Sequence, residues 1–299
     1  MNNKLRIGLL GFGEVGQIIG LDLRSTIDPA LAFDLQFSNA GSSPSGALKE
    51  NEKVLRCPKP IELGRSCDLI VSAVTAENTE VAARSVAGDL KPNSWFLDLN
   101  SASPDTKART ANLINQSGGR YVEGAVMSPV PTKRMASPIL IGGPYASAFV
   151  SIGQSVGFDD LSVFSDEYGK ASAAKMCRSV MIKGIEALVS ESLIAARAYG
   201  VEDTVLSSLE DLLPGPDWRD LSQYMIERTL VHGGRRAEEM REVANTVSAT
   251  GLSADMSLAT IARQDWAKAY PELERLPSLE ALLDALVEIA APRNKDNAA

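Results

Sequence analysis

The sequence has little of what metal-dependent and many nucleophilic enzymes need. Its 299 residues include a single histidine, three cysteines and 5% aromatic residues. One histidine cannot form a histidine metal cluster, and Cys57, Cys67 and Cys177 have no metal-ligand spacing. We therefore predict no metal site. We interpret the odd number of cysteines as reduced thiols of a cytoplasmic protein.

Basic patches and long apolar runs are also missing. The net charge is −8, with 30 basic and 38 acidic residues, which argues against nonspecific nucleic-acid binding. The few aromatic residues leave little for base stacking. No apolar run is long enough to span a bilayer, and the first residues lack a signal-peptide core. We expect a cytoplasmic protein that binds neither nucleic acid nor membrane.

The most informative motif that is present is a glycine-rich turn near the start of the chain. Gly11, Gly13 and Gly16 spell G-x-G-x-x-G directly after the apolar stretch 5–10. The first glycine permits a tight turn, the second lets the backbone approach a pyrophosphate, and the third lets helix and strand pack closely. The following helix offers free N–H groups and a positive dipole end to phosphates. The motif predicts a dinucleotide site, and an ordinary strand–helix turn is the alternative.

Strand-like and helix-like segments alternate through the first half of the chain, which predicts parallel strands joined by right-handed crossovers. The strand candidates are 5–10, 33–37, 69–74, 95–99, 121–126, 139–141 and 161–164. Helix candidates between them include 16–24, 78–87 and a helix capped by Ser103.

From residue 171 onward the sequence predicts only helices. The candidates are 171–199, 202–213, 218–230, 235–249, 257–270 and 278–291. The expected fold is therefore an α/β Rossmann-type domain over residues 1–166, followed by an all-α domain over residues 167–299.

The predicted helix 171–199 is apolar around most of its circumference, which is typical of a buried helix. Lys175, Arg178, Ser179, Glu186 and Ser190 nevertheless share mostly one stripe of it. A buried charge is costly unless it is paired or used, so this stripe suggests a cleft. Partial burial and Arg178 would both lower the pKa of Lys175, which makes Lys175 our candidate for proton transfer. The alternative is a structural network in which Lys175 and Arg178 pair with Glu186 or another acid.

Together these motifs resemble the beta-hydroxyacid dehydrogenase superfamily, which includes 6-phosphogluconate and 3-hydroxyisobutyrate dehydrogenases. The turn 11–16 looks like its cofactor turn, the segment 98–104 like its segment between nicotinamide and substrate, and 123–130 like its substrate-binding loop. Lys175 falls on the family's general acid/base. The resemblance covers nearly the whole chain, and the tracts 175–179 and 232–240 look like a less-characterised branch with a phosphogluconate-dehydrogenase-like C-terminal half.

The resemblance implies an NAD(P)-dependent oxidoreductase acting on a small hydroxy acid or a related polar alcohol or ketone, with Lys175 exchanging the hydroxyl proton. Two departures leave the substrate open. The loop reads Met127-Ser128-Pro129 where the family has Ser-Gly-Gly, and Arg178 and Ser179 replace an asparagine pair. Arginine can hold a carboxylate through two hydrogen bonds. The predicted substrate-binding residues are Asn100, Ser101, Ser128, Arg178, Ser179, His232 and Arg235.

The tract 232–236 places three possible cations, His232, Arg235 and Arg236, beside two glycines that we expect to be flexible. It would bind an anionic group of the substrate. The alternative is a solvated helix start in which the arginines pair with Glu238 and Glu239. His232 is a second candidate for the acid/base role, because the pKa of an unperturbed histidine is about 6.5.

An NAD site usually has an acid about 20 residues beyond the glycines. Here Asp34 falls inside the strand candidate 33–37, and only small polar side chains follow that strand. Such side chains would not repel a 2′-phosphate, so we predict NADP in preference to NAD. The predicted cofactor-binding residues are Gly11, Phe12, Gly13, Glu14, Val15, Gly16, Ser38, Asn39, Val74, Thr75, Asn78 and Asn100.

Two other functions remain open at this point. An imine reductase has a similar two-domain plan, but it usually has a residue other than lysine at position 175. A dinucleotide-binding sensor would bind the cofactor without turnover, and the polar stripe around Lys175 argues against it. The expected partners are an anionic small-molecule substrate and a second copy of the chain. We predict that the helical domain forms the homodimer, because several of its helices look apolar on two sides.

Overall fold

The computed structural model describes residues 5–24 and 29–290. Its internal contacts divide the chain into two compact units, Met1–Cys177 (unit 1) and Arg178–Ala299 (unit 2). The domain boundary expected between residues 166 and 167 stays a prediction. Among the described residues, no helix combines the length and the apolar character needed to cross a bilayer.

Unit 1 alternates strands and helices along the chain. Its strands are β1 (Ile7–Leu10), β2 (Ala30–Phe33), β3 (Val54–Arg56), β4 (Leu69–Ser72), β5 (Trp95–Asp98), β6 (Arg120–Val126), β7 (Ile139–Gly142) and β8 (Leu161–Ser165). Its helices are α1 (Glu14–Asp22), α2 (Ser43–Glu50), α3 (Pro60–Ser66), α4 (Thr79–Ala87), α5 (Pro104–Gln116), α6 (Val130–Lys133) and α7 (Ala146–Val156). Helix α8 (Lys170–Tyr199) belongs to unit 1 up to Cys177 and to unit 2 from Arg178.

The strands of unit 1 form one sheet in the order β3-β2-β1-β4-β5-β6-β7-β8. Strands β1 to β6 are parallel, as the alternation predicts. The expectation of parallel strands throughout is wrong at one edge, because β7 is antiparallel to β6 and β8 follows the direction of β7. The connection from β6 is closed by a hydrogen bond of 2.8 Å from the Met127 N–H to the Pro138 carbonyl. The chain therefore turns back beside the end of β6.

Apolar strands account for a sheet with a core on each face. Strands β1, β4 and β5 are buried along their whole length, as expected when helices cover both faces of a parallel sheet. Leu9 and Val71 pack on one face in a cluster that includes Phe149 of α7. Ile70 and Phe96 pack on the other face in a cluster that includes Val86 of α4. This arrangement confirms the predicted α/β Rossmann-type unit.

The strand candidate 33–37 is wrong, because strand β2 lies earlier in the chain and overlaps the candidate only at Phe33. Strand β2 ends at Phe33, and residues Leu35–Ser38 form a 3₁₀ turn. Asp34 is the first residue beyond the strand, and its carboxylate accepts the Gln36 N–H at 2.8 Å. Such a bond from an aspartate to the backbone two residues on starts a turn. The three-residue strand β3 and helices α2 and α3 lie outside the sequence predictions.

The regular elements among the described residues of unit 2 are all helices, which confirms the predicted all-α half. It contains the rest of α8 with α9 (Glu202–Leu212), α10 (Trp218–Ser248), α11 (Asp255–Ala267), a 3₁₀ turn Pro271–Arg275 and α12 (Leu279–Ala290). Its core includes Leu193, Ile226 and Leu283.

One long helix, α10, replaces the two predicted helices 218–230 and 235–249. Gly233 and Gly234 lie inside it and do not form a flexible break. A Cβ atom on Gly233 would lie 2.6 Å from the Gln264 carbonyl oxygen of α11. The glycine therefore allows α10 and α11 to approach closely, and this packing outweighs the low helix propensity of glycine.

Candidate active site

The glycine turn joins β1 to α1, and two of its glycines are required by close contacts. Gly11 has φ of +95°, and a Cβ atom on it would collide with the Ala73 carbonyl oxygen. A Cβ atom on Gly16 would collide with the Gly11 carbonyl oxygen. Around Gly13, by contrast, no atom of the described structure lies within 4 Å of a built Cβ position. The turn is thus tightly packed at its first and third glycines and open at the second.

Helix α1 presents its N-terminus at this turn. Gly13 is the N-cap, and no side chain caps the helix. The first N–H groups of a helix have no partner within it, and together with the helix dipole they suit a phosphate. Phe12 is buried, Val15 is half-buried and Glu14 is exposed. The backbone of residues 11–16 therefore fits the pyrophosphate of a dinucleotide.

An acid lies beside this turn. The Asp34 carboxylate accepts the Phe12 N–H at 2.7 Å, directly after the end of β2. The premise of the NADP prediction, with Asp34 inside a strand, is therefore wrong. Ser38 and Asn39 follow further along the chain and are exposed, and the Ser38 hydroxyl donates to the Leu35 carbonyl at 3.0 Å.

Asn100 connects the ends of two neighbouring strands. Its Oδ1 atom accepts the Val74 N–H at 2.7 Å, after β4, and its Nδ2 atom donates to the Ser72 hydroxyl at 3.0 Å. Its own N–H donates to the Asp98 carboxylate at 2.9 Å. Nearby, the Asn78 amide donates to the Thr75 hydroxyl at 2.8 Å. The glycine turn, these residues and Asn100 all follow the carboxyl ends of parallel strands, which meet at one edge of the sheet.

The amine of Lys175 is held at this edge. Lys175 Nζ donates to Ser101 Oγ at 2.7 Å. One turn earlier in α8, the Ser172 hydroxyl donates to the Ala102 carbonyl. The structure therefore brings Lys175, Ser101 and Asn100 together within unit 1.

Ser128 follows β6, which runs parallel to β5, so it lies at the same edge of the sheet. Its Oγ atom is buried and has no hydrogen-bond partner among the described residues. Buried polar atoms are normally hydrogen-bonded, and an exception in a native structure needs an explanation. A bound ligand that accepts or donates at this hydroxyl would provide one.

The other predicted substrate ligands belong to unit 2, and their role as ligands stays a prediction. Arg178 is exposed and Ser179 is buried in α8, whereas His232 and Arg235 lie in α10. Arg235 pairs with Glu239 at 2.5 Å, as the alternative interpretation of the tract expects.

The part of α8 in unit 2 was predicted to be buried around most of its circumference, but some of its apolar side chains are exposed. Met181 and Leu188 are 63% and 57% exposed, whereas Glu186 and Lys183 are buried. Glu186 forms a two-point ion pair with the buried Arg236 of α10, and Lys183 pairs with Glu239 at 2.7 Å. Burial lowers the pKa of Lys183, and Glu239 opposes that shift. Of the predicted polar stripe, Glu186 is thus bound in an ion pair with α10. The cleft along the stripe stays a prediction.

A buried polar cluster that the sequence did not predict lies beside Asn100. Asp98 accepts a hydrogen bond from the Tyr121 hydroxyl at 2.8 Å and pairs with Lys107 at 2.9 Å. Glu123 lies directly opposite Asp98 in the register of β5 and β6. Burial raises the pKa of Glu123, and Lys107 and two backbone N–H groups oppose the rise. The available signal was an acid within each of two apolar strands.

No group of three or more His, Cys, Asp or Glu side chains within the described ranges is arranged to hold a metal ion.

Comparisons with known proteins cover both units. Residues 196–267 match a family described as a domain of unknown function, DUF1932. A conserved hypothetical protein from Sinorhizobium meliloti is 36% identical, with a TM-score of 0.72, over 96% of this chain and 97% of its own. A second conserved protein, described as structurally similar to 3-hydroxyacid dehydrogenases, is 30% identical, with a TM-score of 0.67, over 90% of this chain and 99% of its own.

A curated enzyme matches at lower identity. The mitochondrial 3-hydroxyisobutyrate dehydrogenase of Drosophila melanogaster is 24% identical over 223 residues, which cover 71% of this chain and 64% of that enzyme. The match therefore spans slightly less than two thirds of the length of that dehydrogenase.

Proposed function

This chain belongs to the beta-hydroxyacid dehydrogenase-like family, and on that premise we propose that it is a nicotinamide-dependent oxidoreductase. Its substrate is a small hydroxy acid or a related polar alcohol, or the corresponding ketone in the reverse direction. The observation that carries the proposal is the 2.7 Å hydrogen bond from Lys175 Nζ to Ser101 Oγ. This hydrogen bond supports the proposal that the Lys175 amine is held at the same sheet edge as the glycine turn.

A continuous set of contacts supports this location. The glycine turn packs on Ala73 through Gly11, and the next residue, Val74, is bonded to Asn100. Ser101 follows Asn100 and is bonded to Lys175. The turn and the amine are thus joined by short contacts across the carboxyl ends of β1, β4 and β5.

The cofactor and the side chains at this site have separate roles in the proposed reaction. A nicotinamide dinucleotide, when bound, supplies or accepts the hydride. Lys175 accepts the proton of the substrate hydroxyl during oxidation and returns it during reduction. Ser101 orients the amine, and Ser128 donates to a substrate oxygen. Arg178, in the same helix as Lys175, binds a substrate carboxylate.

The test replaces Lys175 with alanine and uses Lys170→Ala as the matched control, because Lys170 is an exposed lysine at the start of the same helix. Short 2- and 3-hydroxy acids are screened with NAD⁺ and NADP⁺ by absorbance of the reduced cofactor. We expect Lys175→Ala to lose roughly 10²- to 10⁴-fold in turnover, the range for a positioned acid or base. A loss below about tenfold would contradict the assignment. Turnover of imines alone would point to an imine reductase, and cofactor binding without any turnover would point to a sensor.

The position of Asp34 changes the expected cofactor. An acid that follows the second strand accepts hydrogen bonds from the ribose hydroxyls of NAD and repels a 2′-phosphate. We therefore propose that NAD is preferred, in place of the NADP expected from the sequence. Dissociation constants of NADH and NADPH, measured by quenching of protein fluorescence, test this. Wild type should bind NADH more tightly, and Asp34→Asn should narrow the difference, whereas tighter binding of NADPH by wild type would restore the first expectation.

We also propose that unit 2 forms a homodimer and that the protein works in the cytoplasm. Exposed apolar side chains on α8 support a dimer, because Met181 and Leu188 are 63% and 57% exposed and lie two turns apart on one helix. Light scattering should give twice the mass of the chain for wild type and less for a Met181→Asp, Leu188→Asp double variant. A monomeric wild type would contradict the dimer.

A further inference from the structure

Helix α8 starts directly after Gly169, which has no side chain to cap it. The Ala173 N–H donates to the Gly169 carbonyl at 2.8 Å, which makes Gly169 the N-cap. Gly169 has φ of +89°, and a Cβ atom on it would lie 3.0 Å from Pro104 Cβ. At most helix starts a Ser, Thr, Asp or Asn side chain accepts the free N–H groups. The chain cannot place such a side chain at position 169.

A carboxylate from the sheet takes this role. Glu123, on β6, accepts the Gly169 N–H through Oε2 at 2.5 Å and the Ser172 N–H through Oε1 at 2.6 Å. In a capping box, two local side chains satisfy the N-cap and N3 donors separately. Here one remote carboxylate satisfies both. The bond pair therefore fixes the first turn of α8 to the strand at the same time as it caps the helix.

Glu123 is 0% exposed, and burial raises the pKa of its carboxyl above the ordinary value, whereas Lys107 and the N–H groups of Gly169 and Ser172 oppose that rise. Lys107 is the nearby cation and pairs with Asp98, whose own charge raises the pKa of Glu123 further. Tyr121 and Tyr168 are the other titratable groups that interact with Glu123. The positive end of the α8 dipole also favours a carboxylate at this position. The Glu123 side chain and the first turn of α8 therefore fix each other in place through two hydrogen bonds.

The first turn of α8 in turn determines where Lys175 reaches. Ser172, which Glu123 binds through its N–H, donates its hydroxyl to the Ala102 carbonyl. Lys175, one turn further, donates to Ser101, the residue before Ala102. We propose that Glu123 is a positioning residue: by capping α8 from the sheet it sets the register of the helix against residues 101–102 and so holds the Lys175 amine in place. The importance of this for turnover rests on the proposed function of Lys175.

The test is amide hydrogen exchange of the full chain by mass spectrometry, with trace acylation of lysines by acetic anhydride. In Glu123→Gln, one N–H group meets an amide donor and loses its acceptor. Exchange over residues 170–175 should rise about tenfold, as for loss of a charged cap. The acylation of Lys175 should rise relative to that of Lys91, which serves as the internal reference.

The matched control is Glu167→Gln, because Glu167 is 69% exposed and lies 3.6 Å from Lys170 at the same helix start. It should leave both measurements unchanged. If Glu123→Gln is recovered unfolded, Glu123→Asp carries the test, since it keeps the charge and reaches only one N–H group. Equal exchange and equal Lys175 acylation in wild type and the folded Glu123 variant would overturn the proposal.

Activity separates the two proposals. With a substrate from the hydroxy-acid screen, Glu123→Gln should lower kcat about tenfold and leave the Kd of NADH unchanged, because the glycine turn is untouched. A merely structural role would lower global stability without this split. If Lys175→Ala keeps its turnover, the acid/base proposal fails, while exchange and acylation still decide whether Glu123 positions α8.

Discussion

Asn100 and Ser128 lie at the same sheet edge but differ in how their side chains are bonded. The Asn100 amide is engaged on both sides, with Val74 and Ser72, and its N–H is held by Asp98. It therefore shapes the loops that follow β4 and β5. The Ser128 hydroxyl has no partner among the described residues, so it has its full hydrogen-bonding capacity left for a ligand.

Ser128→Ala should leave the free energy of unfolding within about 0.5 kcal/mol of wild type, because no described hydrogen bond is lost. The KM of the substrate should rise about tenfold, the effect of removing one hydrogen bond to a charged group. Urea unfolding and steady-state kinetics measure the two quantities. Ser137→Ala is the matched control, since its hydroxyl is also buried without a described partner. An unchanged KM in Ser128→Ala would remove Ser128 from the site.

The three thiols should react at very different rates. Burial raises the pKa of Cys67 to about 12 and also raises the pKa of Cys57, and both side chains are buried, whereas Cys177 is exposed. Only the thiolate reacts, so Cys177 should be the single fast thiol towards a disulfide reagent in the native protein. Cys177→Ser should abolish the fast phase. Three fast thiols in the wild type would show that this part of unit 1 opens readily.

Among the helices and strands, α10 shows how packing against a neighbouring helix can determine where a helix ends. The sequence places two glycines where a helix often ends, and α10 continues through them because α11 packs against Gly233. The two glycines are not equivalent. A Cβ atom on Gly234 would have its nearest neighbour at 3.9 Å, on the Lys268 side chain.

Alanine at these two positions should therefore have opposite effects. Gly233→Ala forces α10 and α11 apart and should lower the free energy of unfolding by about 1–3 kcal/mol. Gly234→Ala meets no obstacle and should raise it by about 0.5–1 kcal/mol, because alanine favours the helix. Urea denaturation of both variants measures the difference. Equal effects would mean that the contact with Gln264 does not limit the approach of the helices.

The sequence predicted the elements that depend on residues close together in the chain. It did not predict the features that contacts between distant segments determine. The glycine turn, the apolar strands and the helical second half follow from spacing and composition. The end of β2 does not, because Asp34 is fixed partly by Phe12, on another element. In the site, Lys175 donates a hydrogen bond to Ser101, and the roles predicted for both residues stay predictions. The role of Glu123 depends on a helix start that is distant in sequence, so no local pattern could reveal it.

At the scale of the whole molecule, the excess of acidic residues makes paired carboxylates important for stability at low pH. Burial raises the pKa of Asp68, but Lys91 and the Arg6 N–H lower it more, so the net pKa lies below 3.8. Because the folded pKa is lower than the unfolded one, this carboxylate stabilises the fold above about pH 4, and the contribution is lost as the pH falls through the folded pKa.

Asp68→Asn should therefore destabilise the protein clearly at pH 6 and less at pH 3, where the carboxylate of the unfolded chain is already mostly protonated. Urea unfolding at the two pH values measures the difference. Asp159→Asn is a suitable control, because Asp159 pairs with Arg24 on an exposed surface, where ion pairs contribute little. A cost for Asp68→Asn that is the same at both pH values would contradict the assignment.

The ion pair of Asp98 with Lys107 is shielded from solvent, with side chains 0% and 1% exposed. Dissolved ions screen exposed charges over roughly 8 Å at physiological ionic strength and about 3 Å at 1 M, but they cannot enter a closed interior. Concentrated salt will therefore weaken ion pairs on the surface and leave the pair of Lys107 with Asp98, which accepts the Asn100 N–H, almost unchanged. A fall in the rate on adding salt would consequently report weaker capture of a charged ligand from solution, while the internal alignment of the reacting groups stays the same.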